Sequence, residues 1–162
     1  MKTKFLILVP LFSTLLSGCS FLFDTDKEVK EYYLTQSAEV GNITFVVNNV
    51  SDTKHIGSSY GKDTDANFVI LNITFTNNGS EEETIFDSQM KYYVGNNKYE
   101  VSIAGSHADS GFCLNISVGA GLKKTANVVF EIPSTHTEND YLSVSDGGLF
   151  ASETAKIWMK TA

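Results

Sequence analysis

Residues 68–77 read Phe68-Val69-Ile70-Leu71-Asn72-Ile73-Thr74-Phe75-Thr76-Asn77, and this stretch decides the fold class. Val69, Leu71, Ile73 and Phe75 fall on one side of an extended chain, and Asn72, Thr74 and Thr76 on the other. Successive side chains of a strand point to opposite faces, so this alternation marks a strand with one buried face. β-branched and aromatic residues also fit a pleated, half-buried surface. Asn77-Asn78-Gly79-Ser80 follows and predicts a tight hairpin turn, because Asn and Gly tolerate positive φ.

The same pattern extends outward from this stretch. Upstream, Ile43, Phe45 and Val47 alternate along a strand; downstream, a shorter run spans Thr84 to Phe86. Met90, Tyr92 and Val94 lead into a second turn at Gly95-Asn96-Asn97, and Tyr99 and Val101 return from it. Cys113 to Val118 and Thr125 to Ile132 add two more runs, the latter ended by Pro133, which cannot donate to a ladder. Tyr141 to Val144 and Ala155 to Met159 complete about eight or nine short strands, with no helical period after Ala38. Each strand has one apolar face to bury, so the chain is expected to be all-β, an antiparallel β-sandwich over residues 38–162. A closed barrel is the alternative that pattern leaves open. The antibody-type Cys…Trp…Cys spacing is absent, since Cys113 is the domain's single cysteine and Trp158 lies near the C-terminus.

The beginning of the chain carries an address. Lys2 and Lys4 precede an apolar run from Phe5 to Leu16, broken by Pro10. Twelve residues of helix span about 18 Å, short of the roughly 30 Å hydrocarbon core, which points to a cleaved signal peptide rather than a span. Leu16-Ser17-Gly18-Cys19 resembles the bacterial lipobox, so residues 1–18 are expected to leave and Cys19 to carry lipid. An ordinary secretory signal with a chance Cys is the alternative. Residues 19–37, dense in charge from Asp24 to Glu31, are expected to be a flexible tether of about 23 Å; Val29, Tyr32 and Tyr33 would also suit a short helix. The expected location is the extracytoplasmic face of the cell membrane, held by lipid on Cys19.

Charge narrows the partners. Twelve Lys and no Arg stand against 19 Asp and Glu, a formal charge of −7 that becomes −9 once Lys2 and Lys4 are removed. Nucleic acid is excluded on this ground, since phosphate binding rests on clustered basic residues. The missing Arg also removes the usual bidentate clamp for phosphate or carboxylate.

Tyr60-Gly61-Lys62, the strand Phe68–Asn77 with Asn78-Gly79, and Val128-Val129-Phe130-Glu131-Ile132-Pro133 together resemble a bacterial lipoprotein domain of unknown function. That domain is telokin-like, an immunoglobulin-like sandwich similar to a mycobacterial immunoprotective extracellular protein. The resemblance covers about residues 40–145 and implies a fold and an extracytoplasmic location, with no chemistry to transfer. Gly119-Ala120-Gly121 departs from the family's usual Pro-Gly-Glu turn.

Candidate chemistry is sparse. Ser106-His107-Ala108-Asp109-Ser110 holds nucleophile, base and acid types, but a triad needs spatial convergence and no G-x-S-x-G elbow is present. Asp63-Thr64-Asp65 offers two carboxylates to Ca²⁺ without an EF-hand spacing, and His136, Glu138 and Asp140 could hold a transition metal weakly. Neither is expected to be a metal site, and no cofactor is expected. Glu81-Glu82-Glu83 reads as a charged strand edge, and Cys113 as a buried small apolar residue. The recognition surface is expected at Tyr92, Tyr93 and Tyr99 around the Gly95 hairpin and at Tyr60 in the loop 51–66, because Tyr is favoured at contact surfaces. The reading is a non-catalytic, membrane-anchored binding module for an extracellular protein or envelope ligand. A small hydrolase using Ser106–Ser110 and a purely structural envelope lipoprotein are the rivals.

Overall fold

The computed structural model describes residues 29–147 and 154–162. Twelve strands are described: β1 (Lys30–Tyr33), β2 (Ala38–Val40), β3 (Ile43–Ile56), β4 (Lys62–Asn77), β5 (Glu83–Phe86), β6 (Met90–Val94), β7 (Asn97–Glu100), β8 (Gly111–Phe112), β9 (Asn115–Val118), β10 (Lys123–Ile132), β11 (Tyr141–Ser145) and β12 (Thr154–Trp158). They form one five-stranded sheet ordered β1-β12-β11-β6-β7, a second ordered β2-β3-β4-β10-β8, and a small pair β5-β9. This is a β-sandwich, as the alternation predicts. Its ladders are antiparallel except at β1–β12 and β8–β10, which are parallel.

The deciding stretch is the centre of the second sheet. Val69, Leu71, Ile73 and Phe75 of β4 are wholly buried, beside Phe45 and Val47 of β3 and Val128 and Phe130 of β10. Across the interior lie Met90, Tyr92, Leu142, Val144, Ala155 and Ile157 of the first sheet. Full burial of each large apolar side chain contributes about 1.5–3 kcal/mol, so the two inner faces hold the layers together. A satellite core of Ile56, Phe68, Ala104 and Val129 forms on the outer side of the second sheet, where the 3-10 turn Ile103–His107 covers it.

Three expectations are corrected. The tether was expected to run to residue 37, yet Lys30–Tyr33 form an edge strand on β12 and Tyr32 packs against the core. The folded unit therefore begins by Lys30, and neither a coil nor a short helix describes those four residues. Asn77-Asn78-Gly79-Ser80 is not a β-hairpin: β5 leaves β4 and pairs with β9. The reason is Asn77, whose buried amide donates to Glu81 O at 2.7 Å and Val118 O at 2.8 Å and accepts from Gly79 N at 2.8 Å. The chain is thereby turned out of the sheet rather than back along it. Cys113 is half-buried and free rather than a core residue, lying between β8 and β9 with an exposed Leu114 beside it. The signal peptide and Cys19 lie outside the described residues.

The second turn behaves as expected. Val94 pairs with Asn97 across Gly95-Asn96, and Gly95 takes φ +58°, a region glycine enters without steric penalty.

Candidate functional site

Strand parity places the feature that sequence reading located only in part. On the first sheet, Tyr92, Leu142 and Ile157 point inward, so their neighbours Tyr93, Tyr141 and Trp158 point outward. The register then aligns Tyr33, Trp158, Tyr141, Tyr93 and Lys98 in one row across all five strands. Tyr93 and Tyr141 stack with centroids 4.8 Å apart and planes 6° from parallel, and Trp158 meets Tyr141 at 5.1 Å and 56°. Such pairs add about 0.5–1.5 kcal/mol each beyond area burial, so the row is self-supporting.

A second row of charge runs beside it: Glu31, Lys156, Ser143, Lys91 and Glu100. Lys156 lies 5.2 Å from the Tyr141 ring, and Lys160 lies 5.6 Å from both Tyr33 and Trp158. The Trp158 indole donates to Glu31 at 3.2 Å, and Lys91 pairs with Glu100. The hydrogen bond from Lys91 holds the Glu100 carboxyl below its ordinary range, and partial burial with the neighbouring Tyr93 pushes the Tyr141 hydroxyl up. The face thus carries Lys91, Lys98, Lys156 and Lys160 against Glu31 and Glu100, a positive balance on a chain of charge −7. Cations over ring faces and a row of half-buried aromatics make a surface suited to contact.

The tyrosines expected to bind divide accordingly. Tyr93 lies in the row. Tyr92 is wholly buried against Phe130 and its hydroxyl reaches Asp140 at 3.2 Å, so it is a core residue and not a contact. Burial, then the Asp140 charge, drive its ionisation far up. Tyr99 faces inward beside Tyr92 and packs on the core. Tyr60, 93% exposed, stands alone at the tip of the β3–β4 hairpin, away from the row. Tyr33, Tyr141 and Trp158 were missed, because each is one aromatic in an unremarkable strand until register brings them side by side.

The other candidates resolve into fasteners. His136 is bonded to Asp52 through its backbone N–H at 2.9 Å and through its ring, while Asp140 takes bonds from Thr137 at 2.8 and 3.0 Å and from Tyr92. His136, Glu138 and Asp140 therefore do not converge. Among the described residues, no three His, Cys, Asp or Glu side chains are placed to hold a metal ion. Asp63 is bonded to His55 Nδ1 at 2.8 Å, and Lys54 donates to Asp65 O at 2.9 Å. In the Ser106–Ser110 segment the Ser106 hydroxyl donates to Ile103 O at 2.9 Å, and Asp109 offers its backbone carbonyl to Asn127. His107 is joined to neither by a hydrogen bond among the described residues. Glu83 accepts from Asn42 at 3.1 Å on β5, the strand whose preceding Glu81 and Glu82 are exposed.

A different concavity lies on the outer face of the second sheet. It is an open groove of about 360 Å³ floored by β3 and β4 and walled by Glu39 and Lys123.

The fold is shared with solved structures. The yjhA protein of Bacillus subtilis aligns with a TM-score of 0.58 at 14% identity, over 80% of this chain and 99% of that one. A proposed lipoprotein of the same organism, ycdA, aligns at 0.54 and 17%, over 79% of this chain and 39% of that one. An uncharacterised β-sandwich protein of Clostridium difficile aligns at 0.53 and 15%, over 83% and 97%. No curated protein matches the chain. A family model described as "Domain of unknown function (DUF4352)" matches residues 32–156, beginning inside β1. No helix among the described residues is long and apolar enough to cross a membrane.

Proposed function

The chain belongs to the DUF4352 family, and on that premise we propose that it is a lipid-anchored, extracytoplasmic binding module without catalytic activity. The observation that carries the reading is the row Tyr33–Trp158–Tyr141–Tyr93 with its lysines, the contact surface of the module. A rigid sheet presents these rings at fixed spacing, so little ordering is needed when a ligand arrives. The lipobox-like Leu16-Ser17-Gly18-Cys19 supports the anchor, as does the fold shared with a proposed lipoprotein. The non-catalytic reading rests on how the polar groups are used: His55 bonds Asp63 across β3 and β4, His136 ties its loop to Asp52, and Ser106 donates within its own turn.

Two measurements test this. Mass spectrometry of the protein extracted from membranes should find a mature chain that starts at Cys19 and carries diacylglycerol; a chain starting elsewhere removes the anchor. Trp158 is the only tryptophan, so its emission reports directly on the proposed surface. Titration with fractionated cell-envelope material should shift that emission saturably, and Tyr141→Ala should abolish the response. An envelope fraction captured equally well by the protein and by Trp158→Phe, Tyr141→Ala would move recognition off this face.

A further inference from the structure

The floor of the groove on the second sheet is Thr44, Val46 and Asn48 of β3 beside Thr74 and Thr76 of β4, the outward positions of two paired strands. Adjacent residues of a strand point to opposite faces. Asn48 is therefore outward by alternation, and the register shift between Val47 and Asn49, a β-bulge, brings Asn49 to the same outer face, opposite Asn72. Asn48 Nδ2 donates to Asn72 Oδ1 at 2.8 Å and Thr74 Oγ1 at 2.9 Å. Asn72 in turn donates to Asn127 at 2.8 Å, Thr74 bonds Thr125 at 2.9 Å, and Asn78 donates to Thr44 at 2.8 Å. Amides and hydroxyls are thus held in fixed orientations over three strands.

Those internal bonds leave capacity. An amide oxygen accepts twice, an amide nitrogen donates twice, and a hydroxyl does both. The groove therefore offers mixed donors and acceptors at fixed positions, bordered by one acid, Glu39, and one base, Lys123. Its volume of about 360 Å³ lies within the range of small-molecule clefts, roughly 300–1,000 Å³. We infer that this groove is a second binding site, for a neutral polyhydroxylated ligand the size of one or two sugar rings.

Three arguments select that class. Sugar hydroxyls are themselves donors and acceptors, and vicinal pairs match the two-pronged amide. An anion would meet Glu39 with a single Lys and no Arg to offset it. A peptide needs apolar pockets or a free strand edge, whereas the groove lies on a sheet face and holds Val46 as its one large apolar lining residue. The site lies on the opposite side of the sandwich from the aromatic row and does not depend on it.

The full chain in detergent micelles, labelled with ¹⁵N, is titrated separately with chitotriose and maltotriose to about 10 mM, since weak sugar sites bind on the order of 1 mM. Amide shifts are expected at Asn48, Thr74, Thr76 and Asn78 with at least one of the two, with Trp158 emission unchanged. Asn48→Ala should weaken binding about tenfold, as should Thr76→Val, which keeps the side-chain shape if the first variant disturbs the bulge. No groove shift with either sugar, shifts indifferent to both variants, or stronger binding of trigalacturonate or trialanine at the same residues overturns the inference.

Discussion

Asn77→Ala is the perturbation that most directly tests why this chain leaves its central sheet where it does. Asn77 is wholly buried, and its side chain makes three hydrogen bonds, to Glu81 O, Val118 O and Gly79 N. At about 0.5–1.5 kcal/mol each, their loss should cost about 2–4 kcal/mol, with part of that the desolvation of carbonyls left unpaired. For a domain whose whole stability is of order 5–15 kcal/mol this is a large fraction. Urea unfolding followed by far-ultraviolet circular dichroism reads it directly. With a slope near 2 kcal/mol per M, the midpoint should fall by about 1–2 M at unchanged slope. Asn77→Asp sharpens the test, because the carboxylate keeps the shape and the acceptor but cannot donate to the two carbonyls. Burying that charge against carbonyl oxygens should cost more than alanine does. If alanine costs under about 0.5 kcal/mol, or aspartate is tolerated as well as asparagine, the amide is not what redirects the chain.

Other outcomes follow from the same geometry. His55 Nδ1 faces Asp63 at 2.8 Å and Nε2 faces Gly57 O at 3.0 Å and Ser58 O at 3.3 Å, so both ring nitrogens meet acceptors and the hydrogen bonds raise its pKa. The fastening of the hairpin tip is then fully present below the ordinary value of 6.5 and is lost as pH rises through the higher folded value. Proton NMR should find His55 titrating above 6.5 and dropping on Asp63→Asn; an unchanged pKa in that variant refutes the pairing. Gly111→Ala would put a Cβ 1.8 Å from the Gly105 carbonyl oxygen, and thermal unfolding should show a loss of about 1–3 kcal/mol. Stability within 0.5 kcal/mol of the parent would mean that the β8 segment moves freely (roughly the error of such comparisons). Tyr141→Ala removes the stacking on Tyr93, the tilted contact with Trp158 and the contact with the Lys156 ammonium, and should cost about 2 kcal/mol with a red shift of Trp158 emission. An unmoved emission maximum would show that Trp158 does not rest on Tyr141.

What was legible in the sequence had a local cause. Alternation along Phe68–Asn77 and Thr125–Ile132 follows from burying one face of a strand, so the core sides of β4 and β10 could be assigned residue by residue. Val129 is instructive: alternation sends it outward, yet it is buried because the turn Ile103–His107 folds over it. The edge strands β1 and β8 gave no such signal. Each is parallel to its partner and far from it in sequence, Lys30 to Ala155 and Gly111 to Asn127, and a short edge strand in a charged stretch looks like linker. In the candidate surface, Tyr92 shares the parity of the apolar Met90 and Val94 and enters the core, whereas the meeting of its neighbour Tyr93 with Tyr141 depends on the pairing of β6 with β11.

Legible in the chain alone were an all-β core with one buried face per strand, a formal charge of −7 and an expected address at the N-terminus, because periodicity, net charge and hydropathy are properties of contiguous residues. Tertiary structure decided the rest: that Tyr33, Tyr93, Tyr141 and Trp158 form one row, that Asn48 meets Asn72 and Thr74 across β3 and β4, and that Asn77 ends a sheet rather than a hairpin. Each depends on strand pairing between distant segments. Local alternation fixes which face a side chain takes, but not which distant strand lies beside it, and so not which outward side chains meet.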